Sequence, residues 1–312
     1  MSMGPDELVR MGYVASRHYR DGRTRIEIAD EMGLSRFKVA RILEKAVELG
    51  IVRVEIVTSD VIDLELSVGL QTRFGLKRAL AVVTPSEAPE VIQEFLGKVA
   101  AQLLTEIVVE GDLLGFTAGR TLNATASYLT SLAYSDLVAL GGVAGPVKEH
   151  GVEVIRRVGR IAGGETWPIF APLIVQDPVT ATALRNDPLI SEAFSRFDRV
   201  TKGVVAIGSW SPPDSQLYDT AKDFGIADDL LAKGVVAELC ATLLDRDGNI
   251  VSAVDDRAMS ITAEQLRNVP EVIMVGGGPR KTLAVRSAIK SGLIDSVVTD
   301  ARLAQRLLAS ED

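Results

Sequence analysis

Apolar positions recur at helical intervals three times in the first fifty residues. Leu8, Met11, Val14 and Ala15 share one face of the segment 6–20, which predicts an amphipathic helix closed by Asp21-Gly22. Thr24 opens a second helix. Glu27, three residues on, completes a capping box, each side chain serving the other's free backbone N–H. Ile28, Ala29 and Met32 form the inner face, and Gly33 suits the left-handed conformation that ends such a helix. Ser35 caps a third helix. Leu34 and Val39 bracket its start as a hydrophobic staple, Val39, Ile42, Leu43 and Ala46 face inward, and Gly50 ends it. Residues 51–57 (IVRVEIV) then alternate apolar and polar, predicting a short strand.

Beyond this point the rhythm changes. Residues 60–75 read as a connecting helix. From about residue 76 short apolar runs alternate with longer helical segments, which argues an α/β domain with a largely parallel sheet. The expected strands are 79–83, 113–116, 137–140, 203–207, 272–275 and 296–299. The reading is therefore a small helical domain, residues 1–58, followed by a larger α/β domain, residues 59–312.

Charge divides along the same line. The net charge is −8 over 312 residues, yet residues 1–57 hold ten Lys/Arg against nine Asp/Glu, and the remainder holds 24 against 33. Residues 35–45 carry Arg36, Lys38, Arg41 and Lys45 against Glu44 alone. A basic helix following a short turn, with a small Ala29 and a turn glycine four residues later, is the pattern of a helix-turn-helix, whose second helix enters the major groove of DNA. Ser35, Arg36, Phe37 and Lys38 lie in the turn that reaches base edges. Arg41 and Lys45 suit phosphates, which add affinity without sequence information.

No run reaches the roughly 18 apolar residues of a membrane helix, and MSMGPDELVR lacks the pattern of a signal peptide. Cys240 is the single cysteine, which excludes internal disulfides and suits a buried thiol. These features point to the cytoplasm, with no membrane partner.

Several expected strands end in glycine-rich loops, where open α/β sheets bind ligands. GFTAGRTL, residues 115–122, offers Gly119 for close backbone approach, hydroxyls at Thr117 and Thr121, and a helix N-terminus suited to an anion. Gly141-Gly142 follow the next strand, and AIGSWSPPDS spans 206–215. GGGPRK, residues 276–281, contains Gly277 and Gly278 and ends on Arg280 and Lys281, cations able to pair with phosphate. Neither loop fits a nucleotide-cofactor motif. The first lacks G-x-G-x-x-G, and Arg280 stands where a phosphate loop requires glycine. No cofactor or metal is expected.

With these segments in view, the chain resembles the SorC family of sugar-responsive transcriptional regulators, DeoR-like proteins of the SorC type. IEIADEMGLSRFKVARILEKAVELGIVRVEI is similar to the family's DNA-binding segment. GFTAGRTL, AIGSWSPPDSQL, GVVAELCATLLDRDGNIV and GGGPRKTLAVRSAIKSGLIDSVVTDARLAQRLL are similar to successive blocks of its effector domain. The resemblance implies an effector domain related to ribose-5-phosphate isomerase and glucosamine-6-phosphate deaminase, a phosphorylated sugar or polyol as effector, and homotetramers on operator DNA. It implies phosphate contacts from Thr117, Gly119, Arg120, Thr121 and Lys281, and places Glu238 within reach of sugar hydroxyls. Arg120 either adds a cation to the pocket or lies outward as a surface arginine. Some relatives form a Schiff base on a lysine. LVALGGVAG has none beside its glycine pair, and Lys148 reads as a solvated loop residue.

Two other readings stay open. A sugar-phosphate isomerase needs a carboxylate or histidine placed for proton transfer. His18 lies in the DNA-binding segment, His150 in a polar loop, and Asp255-Asp256 in an expected polar turn. Alternatively the α/β domain only oligomerises a constitutive DNA-binding protein. A ligand-controlled regulator without enzymatic activity uses more of these features than either.

Overall fold

The structure, a computed structural model, describes residues 4–53, 61–145 and 151–310, with the side chains of 151 and 152 excluded. The chain forms two compact units, Met1–Ser59 and Asp60–Asp312.

The first unit holds α1 (Pro5–Ala15), α2 (Arg25–Met32) and α3 (Arg36–Glu48). α1 runs on into one wider π-helical turn, Ser16–Arg20, so the expected helix over 6–20 changes its winding at Ser16. Arg17, in that turn, bridges Asp21 at 3.1 Å and Glu31 of α2 at 3.0 Å. The capping box at α2 is complete: Glu27 N donates to Thr24 Oγ1 at 3.2 Å, and Thr24 N to Glu27 Oε2 at 2.8 Å. Gly33 takes the left-handed conformation (φ 62°) that turns the chain toward α3. Met11, Val14, Ile28, Ala29, Val39 and Leu43 make the core. Each fully buried aliphatic side chain here contributes about 1.5–3 kcal/mol.

The strand expected over 51–57 is not what Ile51 and Val52 form. Val52 N donates to Ala46 O at 3.0 Å, closing the end of α3. Both side chains pack on the core, so this amide serves a turn rather than a ladder. Residues 54–57 lie outside the described residues.

Among the described residues the second unit contains twelve strands: β1 (Ile62–Asp63), β2 (Arg78–Val82), β3 (Leu113–Phe116), β4 (Ser135–Ala139), β5 (Gly163–Trp167), β6 (Lys202–Ala206), β7 (Gly208–Trp210), β8 (Pro213–Asp214), β9 (Ala237–Leu239), β10 (Thr242–Leu244), β11 (Val272–Val275) and β12 (Ser296–Asp300). Eight form the main sheet, in the order β1-β2-β12-β11-β6-β3-β4-β5. All its pairs are parallel except β1 with β2. The six expected strands are β2, β3, β4, β6, β11 and β12, with end shifts of one or two residues. β3, β11 and β12 are buried along their whole length, as strands covered on both faces must be. A second, antiparallel sheet, β10-β9-β7-β8, has its own core around Trp210, Leu217, Leu230 and Leu243.

The connecting helix begins late, as α4 (Leu64–Phe74). Ile62 and Asp63 pair with Val82 and Ala81, and the Asp63 carboxylate caps the helix by accepting from Leu66 N at 2.9 Å. α5 (Pro89–Ile107) and α6 (Arg120–Tyr128) follow.

Strand order locates the site. From β3 the chain moves outward through β4 to β5, then returns to β6 on the other side of β3 and proceeds to β11 and β12. The direction reverses between β3 and β6. In open α/β sheets the crevice beyond the carboxyl ends of such a strand pair is where ligands bind.

Candidate functional site

A cavity of about 90 Å³ opens at that crevice, room for several water-sized groups. Thr117, the residue after β3, ties the two diverging strands together. Its N donates to Val204 O at 3.0 Å, and its Oγ1 accepts from Ala206 N at 3.1 Å. The hydroxyl proton is left to point elsewhere. Gly119 and Arg120 lead into α6, whose N-terminus has no side-chain cap. Thr121 lies in its first turn and lines the cavity. Uncapped amides and the partial positive charge of the helix favour an anion at this point.

Lys281 enters from the other side, at the start of the helix Thr282–Lys290. Its Nζ donates to Ile207 O at 2.7 Å and Asp214 O at 3.0 Å, and lies 3.4 Å from Asp214 Oδ2. Asp214 Oδ1 accepts from Arg120 Nη2 at 2.5 Å, so Arg120 faces the cavity. Burial alone would raise the Asp214 carboxyl, but Lys281 and Arg120 outweigh it and hold the group below the usual carboxylate range. Burial pulls the Lys281 ammonium down, and Asp214 offsets that only in part.

Glu238, on β9, also lines the cavity. Its Oε1 accepts from Ser215 Oγ at 3.0 Å. Ser215 in turn caps the helix Gln216–Asp223, accepting from Leu217 N at 3.0 Å and Tyr218 N at 3.2 Å. The part of Glu238 that is accessible faces a small cavity rather than open solvent, and this burial pushes its carboxyl up despite Ser215, Lys281 and the Ala241 amide. The β9–β10 hairpin turns on Cys240 (φ 49°) and Ala241 (φ 62°), left-handed positions without glycine, which store backbone strain of about 1–3 kcal/mol each beside the cavity. The Cys240 thiol is buried, and burial raises its pKa.

Thr117, Gly119, Arg120, Thr121, Gly141, Gly142, Glu238 and Lys281 all line this one cavity. Gly142 is there because its backbone closely approaches the segment at Ala171-Pro172: a Cβ would stand 2.3 Å from Ala171 O. Gly277, Gly278 and Arg280 do not line it. The Asp300 carboxylate, which caps the helix Ala301–Ala309 through Leu303 N at 2.9 Å, also takes Gly278 N at 2.6 Å. The glycine pair therefore folds onto Asp300, and Arg280 points to solvent. Gln93 of α5, Asp214, Ser215 and Gln216 also line it, and nothing in the sequence singles them out. Asp214 and Ser215 sit within a loop that the sequence did mark; a serine before an amphipathic helix was the available signal.

In the first unit Ser35 Oγ accepts from Lys38 N at 3.2 Å, starting α3. Arg36 stacks on the Phe37 ring at 4.9 Å, and Phe37 is exposed. Arg36, Lys38 and Arg41 are exposed and have no carboxylate partner among the described residues. Lys45 differs: its Nζ is paired with Glu7 of α1 at 2.7 Å. His18 holds Arg23 O at 2.9 Å, and Asp255-Asp256 form an exposed turn. Lys148 and His150 lie outside the described residues. Among the described residues no cluster suits a metal ion, and no helix is long and apolar enough to cross a membrane.

The second unit is thus a doubly wound domain whose switch-point cavity is lined by two cations, Arg120 and Lys281, and two carboxylates, Asp214 and Glu238. A family model described as a sugar-binding domain matches residues 61–309, and the chain belongs to that family, the sugar-binding regulators of the SorC type. Transcriptional regulator LsrR of Enterobacter sp. (strain 638) is 29% identical over 99% of this chain and 95% of its own length. LsrR of Escherichia coli (strain K12) is 26% identical over 98% and 96%. The crystal structure of the full-length sorbitol operon regulator SorC from Klebsiella pneumoniae superposes with a TM-score of 0.73 at 24% identity, covering 97% of this chain and 99% of that one. These relatives are named as regulators.

Proposed function

We propose that this protein is a transcriptional regulator whose binding to operator DNA is controlled by a small phosphorylated sugar or polyol. Residues 1–58 bind DNA, with α3 as the recognition helix; residues 59–312 bind the effector and assemble the protein into an oligomer, a tetramer by its resemblance to the SorC family. It acts on DNA and so in the cytoplasm.

The observation that carries this reading is the convergence of Arg120, Lys281, the Thr117 and Thr121 hydroxyls and the uncapped start of α6 on one cavity. Two cations and a helix N-terminus suit a phosphate. Glu238 and Ser215, in the same lining, suit the hydroxyls of a carbon chain. No step of chemistry is required of the ligand. It binds, and the difference in its affinity for two states of the protein shifts operator affinity, by a coupling typically of about 1–3 kcal/mol.

The test is a titration of phosphorylated sugars and polyols into a protein–operator complex, with the small molecule recovered and assayed afterwards. A change in DNA affinity with the ligand unaltered is the expected result. Turnover of the ligand, or a response confined to ligands without phosphate, would replace this reading.

A further inference from the structure

Lys281 has three N–H donors, and their partners are not equivalent. Two are the main-chain carbonyls of Ile207 (2.7 Å) and Asp214 (3.0 Å), which hold Nζ against the cavity wall. The third direction is left to the Asp214 carboxylate, at a looser 3.4 Å. The other oxygen of that carboxylate takes Arg120 at 2.5 Å. One carboxylate therefore spans both cations of the cavity, each oxygen on one of them. A phosphate bound at the start of α6 needs the same two partners. The two anions compete, because the direction that the carbonyl contacts leave open on Lys281 faces the Asp214 carboxylate.

Resting on the reading of this cavity as a phosphate site, we propose that the Asp214 carboxylate is a resident anion, which a ligand's phosphate must displace from Arg120 and Lys281 before it can bind. The lysine stays in place throughout, because its two carbonyl contacts do not change. Asp214 ends the short strand β8 and lies at the cavity edge, 23% exposed at its side chain, so it has room to swing toward solvent. The consequence is selectivity. Free phosphate gains only the contacts that Asp214 gives up. A phosphate ester also gains hydroxyl contacts at Glu238 and Ser215. The carboxylate thus raises the threshold for any anion and leaves the extra contacts to decide which one crosses it.

Inorganic phosphate is the probe that isolates this step. Its affinity is measured by calorimetry on the full chain: wild type, Asp214→Asn, Asp214→Glu, and Asp214→Asn combined with Lys281→Met. Asp214→Asn is nearly isosteric; Asp214→Ala serves if it unfolds, with thermal unfolding followed by circular dichroism for each protein. The expected result is that losing the charge tightens phosphate binding by about tenfold or more, that Asp214→Glu stays weak, and that Lys281→Met removes the gain. Wild type and Asp214→Asn binding phosphate equally, or the variant more weakly, would overturn the resident-anion proposal and leave the phosphate site standing. If no variant binds phosphate at all, the proposal falls together with the phosphate site itself.

Discussion

Lys281 Nζ donates to the main-chain carbonyl of Ile207, 74 residues earlier in the chain, at 2.7 Å. The lysine therefore joins the end of β6 to the start of the helix Thr282–Lys290, with a side chain only 12% exposed. On sequence alone it reads as a solvated cation waiting for a ligand. Its position gives it a structural duty as well.

Lys281→Met should accordingly cost both binding and stability. Two carbonyl oxygens lose their donor, and leaving buried acceptors unsatisfied costs about 1–3 kcal/mol. Urea denaturation should show a lower midpoint at an unchanged slope, and calorimetry a loss of affinity for phosphorylated ligands. A variant as stable as the wild type would mean that the carbonyls find water or another donor.

Glu238 gives a pH dependence of definite sign. Its carboxyl is raised in the folded protein by burial. A raised carboxyl favours the neutral form in the fold, so its contribution is fully present below the ordinary carboxyl value and is lost as pH rises through the folded value. Glu238→Gln mimics the neutral form and can still accept from Ser215. The variant should gain stability relative to the wild type as pH goes from 5 to 8, with the gap closing in acid. Denaturation at the two pH values, wild type against variant, measures it. A variant that instead loses stability relative to the wild type as pH rises would mean that Glu238 is ionised in the fold and is held by Ser215 and the Ala241 amide.

The elements legible in the sequence are those with a strong period or a strong cap. Thr24 with Glu27, Ser35 and Gly33 mark the ends of α2 and α3 because capping is local chemistry. The apolar runs of β3, β11 and β12 stand out because both faces are covered. The second sheet was not legible. Its strands are two or three residues long, too short to show alternation. The site was legible in its glycine loops and in Lys281, but not in Asp214. Nothing local to Asp214 marks it: its meaning comes from Arg120 and Lys281, 94 and 67 residues away in sequence. Gly277 and Gly278 misled for the same reason, since the Asp300 that claims them lies about twenty residues further on.

Gly208 should not tolerate a methyl group. Its backbone is ordinary, but a Cβ would stand 2.1 Å from Glu238 Oε1 and 2.7 Å from Ser215 Oγ. Gly208→Ala must push Glu238 off Ser215 or shift β7 away from β9. Overpacking of this kind costs about 1–3 kcal/mol. Thermal unfolding should show the loss, and ligand affinity should fall further than stability alone explains. Wild-type affinity in this variant would take Glu238 and Ser215 out of the binding surface.

The cations of α3 are not equivalent, and DNA binding should separate them. Arg36 lies in the first turn beside the exposed Phe37 ring, over which its guanidinium stacks at 4.9 Å. That places a planar donor pair at the end of the helix that reaches base edges. Arg36→Ala should cost about 1–3 kcal/mol on the preferred operator and relax preference at one base position. Arg41 lies more than a turn further on, exposed and without a carboxylate partner among the described residues. Arg41→Ala should weaken every sequence alike and lower the salt slope by about one unit. Lys45 is paired with Glu7. A phosphate contact must first break that pair, so Lys45→Ala should change DNA affinity least of the three. Its effect on stability should also be small, because exposed pairs contribute about 0.2–1 kcal/mol. Gel shifts across a salt series, on the operator and on a scrambled duplex, measure all three at once. If Lys45→Ala lowers the salt slope as much as Arg41→Ala does, then Glu7 releases the lysine on DNA. If Arg41→Ala alters preference and Arg36→Ala does not, the assignment of bases and phosphates along α3 is reversed.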